Sequence, residues 1–252
     1  MDKIAVISDV HGNMPALEAV LDDIRKRGID LIYNLGDLVG KGARSDLALD
    51  RCREVCQVIV CGNWDAHLVG TKEDAGANWY RQQLGEQRLA YLATLPNVYD
   101  FWLSGKRVRL FHASQESVYT RVYSSQPYEI HLAMFQNTPF TGFDQPEPDI
   151  VGYADIHTPY LLPLYYDQKI LFNDGSVGNP LDMPLACYVI LNGMLDSRTV
   201  GAFSIDFVRL PYDIEREVEE ARRVGVPDVE AYVVEARTAV YRGRQKEKSA
   251  SE

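Results

Sequence analysis

Residues that can bind a metal ion follow five apolar stretches of the sequence, each where a predicted strand ends. They offer carboxylates, imidazoles and one amide oxygen, without a thiolate. That mixture suits Mn, Fe or Zn in a reactive site better than a structural zinc cage. Each residue alone could serve a turn, but five such endings in succession indicate a metal centre. The residues are Asp9, His11, Asp37, Asn63, His112, Asp155 and His157.

The spacing of these residues is compatible with two ions. Asp9 and His11 lie two residues apart at a strand end, where the following turn can aim both side chains at one ion. A carboxylate such as Asp37 can bridge two ions, because each of its oxygens can bind one. Two divalent ions about 3.5–4 Å apart form the clamp used for in-line displacement at phosphorus.

The elements that must position these residues alternate between strand and helix at the start of the chain. Short β-branched runs at 3–8, 31–35 and 57–61 predict strands. Asn13 can cap a helix after the first strand, and a second helix is predicted over Ser45–Val55. A βαβαβ order predicts parallel strands with helices on their faces. The carboxyl ends of such strands meet at one edge, where sites form.

The remaining chain is predicted to be mixed. A helix is expected at 72–95, an irregular segment with a weak helix (129–136) at 114–148, and two helices at about 213–224 and 228–243. Tight turns after Asp149 favour an antiparallel arrangement of the later strands. Those expected strands are 98–103, 107–112, 149–153, 160–166, 169–173, 187–192 and 199–210.

We interpret the chain as one domain over residues 1–244, without an internal repeat or linker. A helical and irregular insert is expected at about 68–148. The polar tail, residues 245–252, is expected to be disordered.

The order of these motifs resembles that of the calcineurin-like metallophosphoesterases, over about residues 3–210. Ile7-Ser-Asp-Val-His-Gly-Asn13 and Gly175-Ser-Val-Gly-Asn-Pro180 are similar to segments of its bacterial phosphodiesterase branch. The resemblance implies an α/β fold, a four-layer αββα sandwich of two mixed β-sheets flanked by helices. The helical ending resembles a subgroup that contains asymmetric diadenosine tetraphosphate hydrolases.

The resemblance also implies which residues hold each of two divalent metal ions. The first ion would be bound by Asp9, His11, Asp37 and His157. The second would be bound by Asp37, Asn63, His112 and Asp155. A hydroxide bridging the ions would attack phosphorus, and the ions would neutralise the developing charge. Asp37, Asn63 and His112 are therefore assigned to catalysis.

Two positions depart from the motifs of the family. Its Gly-Asn-His-Asp/Glu is replaced by Gly62-Asn63-Trp64-Asp65, so the histidine that contacts the scissile phosphate is missing. Its Gly-His-x-His is replaced by Ala154-Asp155-Ile156-His157, where Asp155 is either a metal ligand in place of histidine or a surface turn residue. Trp64 either packs near the site or stacks on a nucleobase. Asn13 either caps its helix or contacts substrate.

The missing histidine favours a particular leaving group. A phosphate leaving group is a weak base, whereas an alkoxide needs a general acid, whose assistance is worth about 10²–10⁴-fold. The sequence therefore predicts a phosphodiesterase or phosphoanhydride hydrolase acting on a nucleotide or dinucleoside polyphosphate. The alternatives are a broad-specificity phosphodiesterase or phosphomonoesterase, and a degenerate family member that acts as a binding protein, like the retromer subunit of this fold.

Composition limits the partners and the location. The net charge of −10 repels long nucleic acid, while bound cations can still attract a small anionic substrate. No apolar run is long enough to span a bilayer and no secretory signal is recognised, so a cytoplasmic location without membrane association is expected. The four cysteines are expected to be reduced. The oligomeric state is left open, with a homodimer as one option.

Overall fold

The structure is a computed structural model that describes residues 1–70 and 74–242. Its strands are β1 (Asp2–Ile7), β2 (Leu31–Asn34), β3 (Val58–Ile59), β4 (Val98–Leu103), β5 (Lys106–Phe111), β6 (Ile150–Tyr153), β7 (Tyr160–Leu164), β8 (Lys169–Asn173), β9 (Ala186–Gly193) and β10 (Ser204–Leu210). Its helices are α1 (Met14–Lys26), α2 (Ser45–Val55), α3 (Asn63–Val69), α4 (Ala75–Leu92), α5 (Tyr128–Ala133), α6 (Ile214–Val224) and α7 (Val229–Thr238).

The strands form two five-stranded sheets. The first has the order β10-β9-β1-β2-β3, and β1, β2 and β3 are parallel as predicted from the βαβαβ pattern. The second has the order β4-β5-β6-β8-β7. The expectation of an antiparallel second half is wrong for β6, which is parallel to both β5 and β8. The reason is that β7 folds back on β8 at the outer edge, which returns β8 beside β6 in the same direction.

Two hydrophobic cores fill the spaces between the layers of the fold. The inner faces of the sheets pack on each other through residues such as Val6, Leu35, Leu110 and Phe172. A second core joins the outer face of the first sheet to α1, α2, α4 and α6. These layers confirm the predicted four-layer αββα sandwich.

The outer face of the second sheet has a thinner cover than that of the first. Among the described residues it consists of α5 and irregular chain, with Met134 and Phe135 packed on Phe111 and Tyr153. The stretch expected as an insert at about 68–148 is largely part of the sandwich, because it supplies α4, β4 and β5. Its later part, 114–148, supplies no strand to either sheet and contributes α5 and irregular chain.

Local sequence signals explain most element boundaries. The Asn13 side-chain oxygen accepts a hydrogen bond from the Ala16 amide, which caps α1 as predicted, with Pro15 in its first turn. The predicted helix at 72–95 begins at Ala75 behind the Asp74 cap and is interrupted at Gly85, whose φ is +70°. The last predicted helix ends at Thr238 instead of 243, because Ala239 adopts a left-handed conformation.

The strand predicted at 199–210 begins only at Ser204. The expected disordered tail, 245–252, lies outside the described residues. In the part of the chain that the structure describes, no helix has both the length and the apolarity needed to cross a bilayer.

Helix α6 carries a fully buried carboxyl group, Glu217, beneath the loop that follows β2. One oxygen of Glu217 accepts hydrogen bonds from the Ala43 amide (2.9 Å) and the Tyr232 hydroxyl (3.0 Å). The other oxygen has no partner. Burial therefore raises the pKa of Glu217 to about 7.

Replacing Glu217→Gln should make stability less dependent on pH. The folded state holds the proton of Glu217 more tightly than the unfolded state, so the free energy of unfolding falls as pH rises from about 4.5 through about 7. The neutral amide avoids this loss and should gain up to ~3 kcal/mol above pH 7. Urea unfolding in the presence of chelator at pH 5 to 8 measures the slope of the free energy of unfolding against pH. The exposed substitution Glu219→Gln serves as control. Equal slopes for parent and Glu217→Gln would contradict the assignment.

Candidate metal centre

The predicted ligand residues come together where parallel strands of both sheets end. Asp9 and His11 follow β1, Asp37 follows β2, and His112 follows β5. Five ligand residues have a positive φ, between +47° and +63°, which is uncommon outside glycine. Each such conformation costs about 1–3 kcal/mol and persists only where surrounding contacts impose it. These residues are Asp9, His11, Asp37, Asp155 and His157.

The three histidines of the site are held in the same way. The Nδ1 atom of His11 lies 3.0 Å from the Val39 carbonyl oxygen, and that of His112 lies 2.8 Å from the Leu35 carbonyl oxygen. His157 makes the equivalent contact with the carbonyl oxygen of Asn179. Because each Nδ1–H donates to a backbone carbonyl, each Nε2 is left to face the cluster, where it can carry a proton or bind a metal ion.

The histidine Nε2 atoms meet two buried carboxylates. Asp9 Oδ1 lies 3.2 Å from His157 Nε2 and 3.6 Å from His11 Nε2. Asp37 contacts both sides, with Oδ2 3.5 Å from His11 Nε2 and Oδ1 3.6 Å from His112 Nε2. Two groups of ligand atoms result, Asp9 with His11 and His157, and Asp9 with Asp37 and His112.

Two atoms of this set lack hydrogen-bond partners. Asp9 Oδ1 and His112 Nε2 are buried without one. Unpaired buried polar atoms are costly, and carboxylate oxygen and imidazole nitrogen are ligands that divalent ions prefer. The residues present therefore fit one divalent ion in each group. The assignment of individual residues to each ion stays a prediction.

The electrostatics of the centre also favour a cation. Burial raises the pKa of Asp37 well above its ordinary value, against the opposing effect of His112. Burial also acts to raise the pKa of Asp9, but His157, His112 and His11 outweigh it and lower that pKa. For His112, burial lowers the pKa, yet Asp37, Asp9 and Asp155 outweigh it and raise the value to about 9. A metal ion would displace this proton.

Asp65 joins the loops that carry Asp37 and Asn63, a role that the sequence did not reveal. Its carboxylate accepts hydrogen bonds from the amides of Gly62 (2.9 Å), Asp37 (2.8 Å) and Leu38 (3.1 Å). The two loops touch so closely that a β-carbon at Gly62 would lie 2.2 Å from the Asp37 amide nitrogen. Only glycine fits there.

Asp155 lies inside the centre, so the alternative of a surface turn residue is wrong. It is 3% exposed, and its Oδ1 is 3.8 Å from His112 Nε2. The Asn63 amide nitrogen donates to the same oxygen at 2.5 Å. Arg121 Nε contacts the other oxygen at 3.0 Å. Asp155 and Asn63 thus accompany the group that contains His112.

Trp64 packs against the centre. Its ring meets the His11 ring edge-on at 6.0 Å between centroids and contacts the Tyr80 ring at 5.8 Å. A β-carbon at Gly40 would lie 2.2 Å from the Trp64 ring. This arrangement supports the packing alternative, and base stacking by Trp64 stays a prediction.

Asn13 is fully buried, and both polar atoms of its side chain are engaged. Besides capping α1, its amide nitrogen donates to the Gly178 carbonyl oxygen at 2.8 Å. The cap is confirmed, while the expected substrate contact by Asn13 gains no support from this geometry, because no part of the side chain reaches the surface.

Sequence reasoning missed two cations beside the ligands. Lys41 Nζ lies 3.4 Å from His157 Nε2 and donates to Asn179 Oδ1 at 2.9 Å. Arg121 lies beside Asp155. The only sequence signal for Lys41 is its place in the glycine-rich loop after Asp37. Arg121 lies in the irregular segment, where no pattern marks it.

The sequence profile of the calcineurin-like phosphoesterase superfamily domain matches residues 3–193. The chain belongs to this superfamily. It is 30% identical over 247 residues to the uncharacterised protein MJ0912 of Methanocaldococcus jannaschii, a match that covers 89% of this chain and 94% of that protein.

Two solved structures have folds closely similar to that of this chain. A metallophosphoesterase of Sphaerobacter thermophilus superposes with a TM-score of 0.75 and 26% identity, covering 95% of this chain and 99% of that one. The hypothetical protein PH1004 of Pyrococcus horikoshii OT3 superposes with a TM-score of 0.75 and 17% identity, and the match covers 96% of this chain and 100% of that one. The second likeness concerns the fold alone.

Replacing Asp9→Asn should remove most of the bound metal, because Asp9 belongs to both ligand groups. We expect Mn²⁺ to raise the melting temperature of the parent, since it binds only the folded state. The variant should retain less than about half of the parent's manganese by elemental analysis. Surface Asp22→Asn is the matched control. A variant with full metal content would refute the shared role of Asp9.

Proposed function

We propose that this protein is a metal-dependent phosphoesterase that hydrolyses a phosphodiester or phosphoanhydride bond of a nucleotide or dinucleoside polyphosphate. The observation that carries the proposal is the convergence of three imidazole Nε2 atoms and two buried carboxylates, each imidazole fixed by a backbone carbonyl. Buried charge and a strained backbone both make this arrangement unfavourable on its own, and a pair of divalent ions would offset this free-energy cost. Membership of the superfamily supports the same reaction class.

The chain's own residues would divide the work. Asp9, His11, Asp37 and His157 would hold one ion, and Asp37, Asn63, His112 and Asp155 the other. When bound, such ions supply a nucleophile from water and neutralise charge on the phosphoryl group. The Asp65 carboxylate accepts a hydrogen bond from the backbone amide of Asp37 and so keeps Asp37 in place. Trp64 closes one side of the centre, where its indole cannot give a leaving group the proton that an imidazolium could.

The presence of Trp64, which cannot protonate a leaving group, supports the proposed substrate class. An alkoxide leaving group needs a proton, whereas the phosphate released from an anhydride leaves readily without one. The proposed substrate is therefore a nucleotide whose leaving group is itself phosphate.

Activity assays with Mn²⁺ test the proposal directly. Diadenosine tetraphosphate should be hydrolysed with a kcat/KM at least about 10-fold above that of AMP, and chelation should abolish both reactions. Asp37→Asn should lower kcat by about 10²-fold or more, because it removes charge at a residue that contacts both ligand groups. Asp22→Asn again serves as control.

Faster turnover of AMP would exclude the preference for an anhydride. Protein without metal and without hydrolysis of any substrate would instead support the alternative of a family member that acts as a binding protein.

Trp64→His tests the leaving-group argument separately. An imidazole at this position should raise kcat for AMP by about 10-fold or more, while the rate with diadenosine tetraphosphate changes little, because only the alkoxide needs the proton. Trp64→Phe is the control, because it puts a smaller aromatic ring at the same position without adding a proton donor. Equal gains in both variants would show that space, and not protonation, limits the monoester reaction.

A further inference from the structure

We propose that Lys41 and Arg121 bind phosphate oxygens beyond the attacked phosphoryl group, and so select substrates with two or more linked phosphates. This inference rests on the proposed function and extends it to named specificity residues. The two cations flank the metal centre, one beside each ligand group. Lys41 is next to His157, and Arg121 is next to Asp155.

Both cations line one cleft of about 640 Å³. Volumes of this order hold a ligand the size of a nucleotide. The metal ligands Asp155 and His157 lie in its wall, so a substrate in the cleft would reach the centre. Tyr123 is also in the wall and is 49% exposed, which offers an aromatic surface to a base.

Lys41 is held by a neutral hydrogen-bond partner, while the carboxylates of Glu235, Asp9 and Asp37 act on its charge from a greater distance. Its ammonium group donates to the neutral Asn179 Oδ1, and in the described part of the chain no carboxylate lies within 4.0 Å of it. Its backbone has a φ of +57°, which the loop imposes. A cation held by a neutral partner at the edge of a buried site is available to an anionic ligand.

The C-terminal part of the fold fixes this position. Glu235 of α7 is 1% exposed and accepts hydrogen bonds from Arg242 Nε and Nη2, each at 2.9 Å. The same carboxylate accepts a longer hydrogen bond from Asn179 Nδ2, at 3.4 Å. Asn179 in turn holds Lys41 and, through its backbone carbonyl, His157. One asparagine therefore sets the distance between the lysine and the first ligand group.

Arg121 has donors to spare. Its Nε contacts Asp155, its guanidinium group also interacts with the Tyr123 side chain, and 43% of the Arg121 side chain is exposed. The planar guanidinium group presents its remaining N–H donors in a fork that matches two phosphate oxygens. The other acidic residue of the cleft wall, Asp182, is paired with Arg209 and does not compete for it. The cleft wall thus carries two cations, Lys41 and Arg121, beside two carboxylates that are already ion-paired, Asp155 and Asp182.

Binding measurements with unreactive probes test the inference. The manganese-loaded full chain is titrated calorimetrically with methylenediphosphonate, which mimics two linked phosphates, and with inorganic phosphate. In Lys41→Met and in Arg121→Met, the Kd for methylenediphosphonate should rise about 10-fold or more, as expected for loss of a charge-assisted hydrogen bond. The Kd for inorganic phosphate should change less than about 3-fold. Arg51→Gln on α2 removes a cation remote from the cleft and should leave both values unchanged.

Conservative variants and metal content keep the test decisive. Lys41→Arg keeps the charge and should bind methylenediphosphonate within about 3-fold of the parent. Equal weakening of both probes, or unchanged binding of methylenediphosphonate, would overturn the inference. So would loss of manganese in Arg121→Met, because Arg121 would then act on the metal centre. Hydrolysis of a nucleotide by the parent decides the proposed function independently, since the binding measurements need no turnover.

Discussion

The structure depends on one constraint, which is that three imidazoles and two carboxylates must be buried facing one another. Each imidazole is fixed by a backbone carbonyl oxygen: those of Leu35 and Val39 lie in the loop after β2, and that of Asn179 lies in the loop between β8 and β9. The ligand atoms can therefore not separate to relieve their repulsion unless these loops also move. A divalent cation satisfies the carboxylates and the nitrogens together, whereas protonation satisfies only some of them.

This constraint explains why both sheets are needed. His112 belongs to the second sheet, yet its Nδ1 donates to the Leu35 carbonyl, which follows β2 in the first sheet. The core between the sheets, which includes Leu35 and Leu110, thereby sets how far the two ligand groups lie from each other. Substitutions in this core would change the distance between the groups before they changed any ligand, because packed interiors transmit small shifts.

Local patterns in the sequence were sufficient to predict the architecture and the positions of most residues that gather at the centre. The cap at Asn13 and helix Ser45–Val55 are short-range features, and a polar residue after an apolar strand already marks a candidate ligand such as Asp9 or His112. The direction of β6 was not predictable, because it depends on which later strand forms the hairpin. Roles that depend on contacts between distant residues, such as that of Asp65 with Asp37, carry no local signal.

The two departures from the family's motifs are each accompanied by a nearby cation. A carboxylate at Asp155 adds negative charge where the family has a neutral imidazole, and the ion pair with Arg121 compensates for it. An indole at Trp64 removes an imidazole, and its ring packs on Gly40, the residue before Lys41. Neither position then carries an imidazole that could be protonated, while Lys41 and Arg121 place two cations in the wall of the cleft. A site with these residues would give up protonation of the leaving group, and its two cations would face a polyanion, which is consistent with the proposed phosphoanhydride substrate.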